Sequence, residues 1–86
     1  MTELAALGLR RGEPVRWRRV DGGRWLTGKV ERVEADGSIG VRDGKGASRA
    51  LPMARLEVRA TGPRGARMWE PVVDRAGRTE QMGLDI

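Results

Sequence analysis

Between Glu13 and Arg59, apolar and polar residues alternate with a period of two, and glycine-bearing turns cut the alternation at short intervals. This feature constrains the chain most, because a period of two puts alternate side chains on opposite faces of a pleated strand. Val15, Trp17 and Arg19 alternate with Arg16, Arg18 and Val20 in a first strand. Asp21-Gly22-Gly23 follows, and glycine accepts the positive φ that tight hairpins need. Trp25 to Glu34 reads as a longer strand, with Leu26, Gly28 and Val30 on one face and Trp25 on the other. Val33 then falls out of phase, which predicts a bulge near Glu31 and Arg32. Asp36-Gly37 turns the chain, Ser38 to Asp43 points Ile39 and Val41 inward, and Gly44-Lys45-Gly46 turns it again. Ala47 to Leu51 reads as a fourth strand, Pro52 to Arg55 as a single 3₁₀ turn, and Leu56 to Arg59 as a fifth strand carrying Leu56 and Val58. Short strands so spaced predict an all-β chain built on a small, closed, five-stranded barrel over residues 13–59.

The flanks read differently. Residues 1–12 form an arm in which Thr2 to Leu9 makes one or two helical turns, stopped by Gly8 and Gly12. Residues 60–67, with Gly62-Pro63-Arg64-Gly65 at their centre, read as an exposed basic linker. Residues 68–86 form a C-terminal segment: Met68 to Val73 is either a further strand or a piece packed on the barrel through Trp69. Asp74 to Ile86 is then expected to be an extended, mobile tail.

The residues that are missing exclude much chemistry. The chain has no Cys and no His, so it offers neither thiolate nor imidazole to a metal and lacks the usual acid/base of neutral pH. Ser38, Ser48 and the threonines have no base nearby in sequence, and Glu31, Glu34, Asp36 and Asp43 read as solvated strand and turn residues. Gly23 to Lys29 has the spacing of a phosphate-binding loop, but Val30 stands where a metal-binding Ser or Thr belongs, and the segment reads as strand. No enzyme activity, metal or cofactor is expected. The N-terminus lacks the basic start and apolar length of a signal peptide, and no run is long enough to span a membrane, so the expected compartment is the cytoplasm.

Charge is where function becomes readable. Seventeen Lys and Arg stand against twelve Asp and Glu, a net charge of +5, and nearly every cation is Arg. Such an excess attracts polyanions, and the planar guanidinium suits phosphate; Arg-rich usage is also what a GC-rich genome yields. Arg16 and Arg18 share one face of the first strand, Arg24 sits at the hairpin tip, and Lys29 lies on the adjacent strand. Antiparallel pairing would gather these into one patch, to which Arg64 and Arg67 add from the linker. Trp25, opposite in phase to Leu26 and Val30, would either stack on a base or cover the open end of the barrel. The expected partner is nucleic acid, DNA or RNA. The alternative is a pure protein-interaction barrel, self-associating through an edge strand, whose charge serves solubility.

The order Gly12-x-x-Val15-x-Trp17, then Asp21-Gly-Gly-x-Trp25-Leu-x-Gly28-x-Val30-x-x-Val33, then Asp36-Gly-x-Ile39-x-Val41-x-Asp43, then Leu51 and Leu56, resembles Tudor domains and related KOW and SH3-like barrels. The resemblance covers a little over half of the chain and implies a barrel fold more than any one ligand. It departs from the family where a methylated cation would be held. Leu26 occupies a position that is usually aromatic, and Ile39 to Ser48 has no aromatic residue. A second resemblance lies at the C-terminus: Gln81, Met82, Leu84 and Ile86 are similar to the peptide by which bacterial replication and repair proteins dock on the sliding clamp. It implies that Gln81 would hydrogen-bond in a small pocket while Leu84 and Ile86 fill an apolar one, with Asp74 to Glu80 presenting the peptide.

Overall fold

The alternating segments pair into strands as their turns dictate. A computed structural model describes the backbone of residues 3–84 and the side chains of residues 3–80. Its strands are β1 (Pro14–Arg18), β2 (Trp25–Val33), β3 (Ile39–Asp43), β4 (Ser48–Leu51), β5 (Glu57–Thr61) and β6 (Arg67–Pro71). All pair antiparallel in one open sheet of order β4-β3-β2-β1-β5-β6. The first four strands form a meander. A 3₁₀ turn at Met53–Arg55 then carries the chain back to place β5 beside β1. The expected bulge is present: β2 and β3 change register between Val30 and Arg32, which leaves Glu31 as the extra residue and lets Val33 return to the inner face opposite Ile39.

One face of the sheet is the core. Val15, Trp17, Val30, Ile39, Val41 and Val58 are almost completely buried there, as their phase predicts. Gly28 is part of this packing. It pairs with Val15 on one side and Asp43 on the other, and a Cβ there would stand 2.4 Å from the Arg42 carbonyl oxygen and 3.0 Å from the Trp17 ring. Trp17 fits only because β2 has no side chain at that point.

Three expectations are corrected. The sheet has six strands, not five, and is open rather than a closed barrel. Of the expected linker, Ala60 and Thr61 end β5 and Arg67 begins β6, so that only residues 62–66 connect the two strands, with a turn at Pro63–Gly65, and Met68 to Pro71 joins the sheet. The C-terminal segment is not extended, because a helix, α1 (Val72–Leu84), takes up most of it. Asp74 to Glu80 is therefore helical rather than a mobile presenting tail. The helix was hidden because its inner stripe is half polar. Val72, Arg75, Ala76 and Thr79 are its buried or half-buried positions, spaced i, i+3, i+4, i+7, and only two of the four are apolar.

α1 packs on β6, on the Met53–Arg55 turn and on an N-terminal 3₁₀ turn at Leu4–Leu7. The arm is tied down as well: Gly12 N–H donates to the Val30 carbonyl (2.7 Å), Val30 N–H donates to the Glu13 carbonyl (2.9 Å), and Leu9 is buried. Val72 closes the core from the other end, its N–H donating to the Leu56 carbonyl at 3.0 Å. Arg75 clasps the assembly. Its guanidinium donates to Glu13, to Glu70 Oε1 (3.0 Å) and to the Gly8 and Arg59 carbonyls, joining arm, sheet and helix. No helix among the described residues is long and apolar enough to cross a membrane.

Candidate nucleic-acid interface

The strand phase that buries Val15, Trp17 and Val58 turns Arg16 and Arg18 of β1, Trp25, Thr27 and Lys29 of β2, and Glu57 and Arg59 of β5 to the opposite, outer face. Trp69 and Arg67 of β6 share that face, opposite Arg59 and Thr61, and Arg42 of β3 lies opposite Lys29. Cross-strand register then decides which of them meet. Arg18 is paired with Trp25, Arg16 with Thr27 on one side and Glu57 on the other, and Arg59 with Trp69.

The result is a chain of cation–π contacts across β2, β1, β5 and β6. The Arg18 guanidinium carbon lies 4.3 Å from the centre of the Trp25 ring and that of Arg16 lies 3.8 Å from the same ring. Arg16 also lies 4.9 Å from the Trp69 ring, and Arg59 is 5.5 Å from Trp69. Arg16 is additionally ion-paired to Glu57 at 2.6 Å. Each contact of this type contributes about 0.5–2 kcal/mol according to exposure, so the arginines are partly ordered before anything binds. Trp25 lies on the outer face as expected and is half-buried, with two guanidinium groups over its ring.

Two clefts flank this array. The first, about 590 Å³, opens between the β1–β2 turn and the β3–β4 turn, with Trp17, Trp25 and Leu26 as apolar wall and Arg19, Arg24, Lys45 and Arg49 as cations. The second, about 450 Å³, is a groove across the outer face, lined among others by Trp69, Arg59, Lys29 and Arg42. Two carboxylates on the outer face are engaged. Glu57 holds Arg16. Glu31 accepts hydrogen bonds from Arg42 Nε (3.1 Å) and the Ser48 hydroxyl (3.2 Å). Burial pushes the Glu31 carboxyl up, but Arg42, Ser48 and Arg32 outweigh it and hold the group below its ordinary value, so it stays charged and paired. Asp43, at the mouth of the first cleft, is held below the usual carboxylate range by its hydrogen bonds to Arg49 and to the Ala47 and Lys45 N–H groups. Among the described residues, Arg18, Lys29, Arg59 and Arg67 have no carboxylate within ion-pair distance.

The expected residues are thus only partly one patch. Arg16, Arg18 and Trp25 touch, and Lys29 shares their face. Arg24 lines the first cleft at the β1–β2 turn. Arg64 and Arg67 are exposed, but they belong to the β5–β6 hairpin, at the end of the sheet away from Trp25. Arg64 adopts φ 61°, a left-handed backbone unusual for a side chain of its size. Gln81, Met82 and Leu84 fall in the last turn of α1 with side chains outside the described residues, and Ile86 lies outside them altogether. Gly23 to Lys29 runs through a turn into β2, with none of the loop-to-helix geometry of a phosphate-binding loop. Sequence reasoning missed Trp69, Arg59, Arg42 and Lys45. The signal was present for two of them, since Arg59 is out of phase with Val58 and Trp69 is in phase with Arg67. No family model, curated protein or solved structure compared with the chain matches it.

Proposed function

We propose that this chain is a non-enzymatic accessory module of DNA or RNA metabolism, working in the cytoplasm, whose outer sheet face binds nucleic-acid phosphates. The observation that carries the reading is the outer face itself. Among the described residues, Arg18, Lys29, Arg59 and Arg67 stand there without carboxylate partners, while Glu57 and Glu31 are each engaged by an arginine. Arginines already ordered over tryptophan rings lose less freedom on gripping a phosphate than free side chains would. Their in-plane N–H donors remain suited to phosphate oxygens. The Tudor/SH3-like reading of the fold belongs to the same proposal. A four-strand meander, a 3₁₀ turn and a fifth strand returned beside the first are the order that such barrels use, and β6 and α1 are additions to it. The C-terminal residues Gln81, Met82, Leu84 and Ile86 are proposed to dock on a protein partner such as a sliding clamp.

A pure protein-interaction role is the second reading, favoured by the open edges at β4 and β6, which leave strand hydrogen-bonding groups for another chain. Salt separates the two. Four phosphate contacts, at about 0.7–0.9 released counterions each, give a log–log slope near −3, so affinity for a labelled oligonucleotide should fall about 50- to 150-fold between 50 and 200 mM salt. The double variant Arg18→Ala plus Arg59→Ala should flatten that slope by about one to two. Binding that is absent at low salt, or indifferent to salt, would rule out the phosphate-binding role.

A further inference from the structure

The two clefts adjoin. The first cleft and the outer groove share Thr27, Asp43 and Gly44 in their linings, so they abut where β2 runs beside the start of the β3–β4 turn. From that junction one arm runs across the outer face through Lys29, Arg42 and Arg59 to Trp69. This arm crosses five strands, β3 to β6 by way of β2, β1 and β5, a span of roughly 19 Å at the usual strand spacing. The other arm enters the space between the two turns, where Arg24 and Lys45 stand at the rim and Trp17, Trp25 and Leu26 form the wall. Among the described residues, the only carboxylate lining either arm is Asp43, and it is occupied by Arg49 at 3.0 Å.

We infer that this path is a binding channel for single-stranded nucleic acid, with the backbone on the outer groove and one base or end nucleotide received by the cleft between the turns. The inference rests on the phosphate-binding role and specifies its ligand. Three properties favour a single strand over a duplex. The path bends from an open face into a cleft walled by two hairpin turns, which a rigid duplex cannot follow. The cleft volume, about 590 Å³, lies within the roughly 300–1,000 Å³ of sites that enclose a small molecule. Apolar and aromatic side chains line both ends, Trp25 with Leu26 and Trp69, their rings partly covered by Arg16, Arg18 and Arg59, and unpaired bases have faces to bury against such guanidinium-capped surface whereas paired bases are already stacked.

The test uses the full chain and two fluorescein-labelled probes, a single strand of about 12 nucleotides, within the range of sites on small single-strand-binding folds, and the matching duplex. Anisotropy titrations at low salt compare wild type with two charge-matched pairs. Arg24→Ala plus Lys45→Ala removes two exposed cations from the inner cleft, and Arg10→Ala plus Arg11→Ala removes two exposed cations of the arm. The single strand should bind at least tenfold tighter than the duplex. The cleft pair should weaken single-strand binding about tenfold and the arm pair less than threefold, and binding should quench tryptophan fluorescence. Equal affinity for strand and duplex, or equal losses in the two pairs, would overturn the channel while leaving salt-sensitive phosphate binding in place. Loss of all salt-sensitive binding would instead remove the phosphate-binding role beneath it.

Discussion

Replacing Arg75 by Ala should be among the most damaging single changes at any charged residue of this chain. Arg75 is only 15% exposed, and its two carboxylate partners, Glu13 and Glu70, are each 17% exposed. The guanidinium also donates to the carbonyls of Gly8 (3.4 Å) and Arg59 (3.2 Å), so one side chain holds the arm, β5, β6 and α1 together. Its removal leaves two poorly hydrated carboxylates beside each other with one fewer cation. Breaking a fully buried pair costs about 3–5 kcal/mol and breaking an exposed pair under about 1; partial burial puts the expected loss at about 2 kcal/mol. In a chain of this size that is a fall in Tm of about 8–16 °C. Arg78 provides the control. It bonds the same Glu70 oxygen at 2.9 Å but is 61% exposed, and Arg78→Ala should cost less than about 0.5 kcal/mol. Urea denaturation followed by tryptophan fluorescence measures both. Equal losses in the two variants would refute a clasp centred on Arg75.

Glu70 makes the same clasp sensitive to acid. Burial raises its pKa, but the hydrogen bonds and charges of Arg75 and Arg78 outweigh that and hold it below the ordinary glutamate value of 4.5. A lowered folded-state pKa stabilises fully above the unfolded value and ceases to do so as pH falls through the folded one, so the stability gap between wild type and Glu70→Gln should narrow below about pH 4.5. A gap constant from pH 7 to pH 3 would contradict it. Gly28→Ala should destabilise by about 1–3 kcal/mol, because its Cβ would meet a backbone oxygen and the Trp17 ring, neither of which moves cheaply. Gly44→Ala, which meets nothing within 4 Å, should stay within about 0.5 kcal/mol in the same denaturation assay. Full-length protein should bind a bacterial sliding clamp by surface plasmon resonance, and Gln81→Ala should abolish that binding; equal binding by the two would dismiss the tail as a docking peptide.

The sheet was legible in the sequence because its signal is local and binary. Val15, Trp17, Val30, Ile39, Val41 and Val58 declared the inner face by phase alone, and Val33 declared the bulge by breaking phase. The sixth strand was only half legible, since Met68 and Glu70 occupy its inner positions and Glu70 is there to meet Arg75, not to fill a core. The helix failed for the same reason: a stripe anchored by Arg75 and Thr79 has helical spacing without helical hydropathy. The candidate site divided similarly. Arg16, Arg18, Trp25 and Lys29 followed from two adjacent strands and one hairpin. The outward phase of Trp69 and Arg59 was legible, but their approach to Arg16 depended on β5 crossing back to β1, a long-range pairing that no local pattern encodes.

Net charge alone misstates what this surface offers. Six carboxylates, Glu13, Glu31, Glu34, Asp43, Glu57 and Glu70, are consumed by six arginines, Arg16, Arg32, Arg42, Arg49, Arg75 and Arg78. The acids left over among the described residues are Glu3, Asp21, Asp36, Asp74 and Glu80, and they lie in the arm, in turns or on α1, with none at an outward strand position. The interspersed glutamates that would weaken the patch on a sequence count are therefore paired locally or turned to the clasp. The strand cations without ion-pair partners among the described residues, Arg18, Lys29, Arg59 and Arg67, all belong to the outer face, the other face being the core. Seven further cations without ion-pair partners among the described residues, Arg10, Arg11, Arg19, Arg24, Lys45, Arg55 and Arg64, lie in the arm and the turns, and the placement of unpaired charge rather than its total governs which polyanion approaches and where it lands.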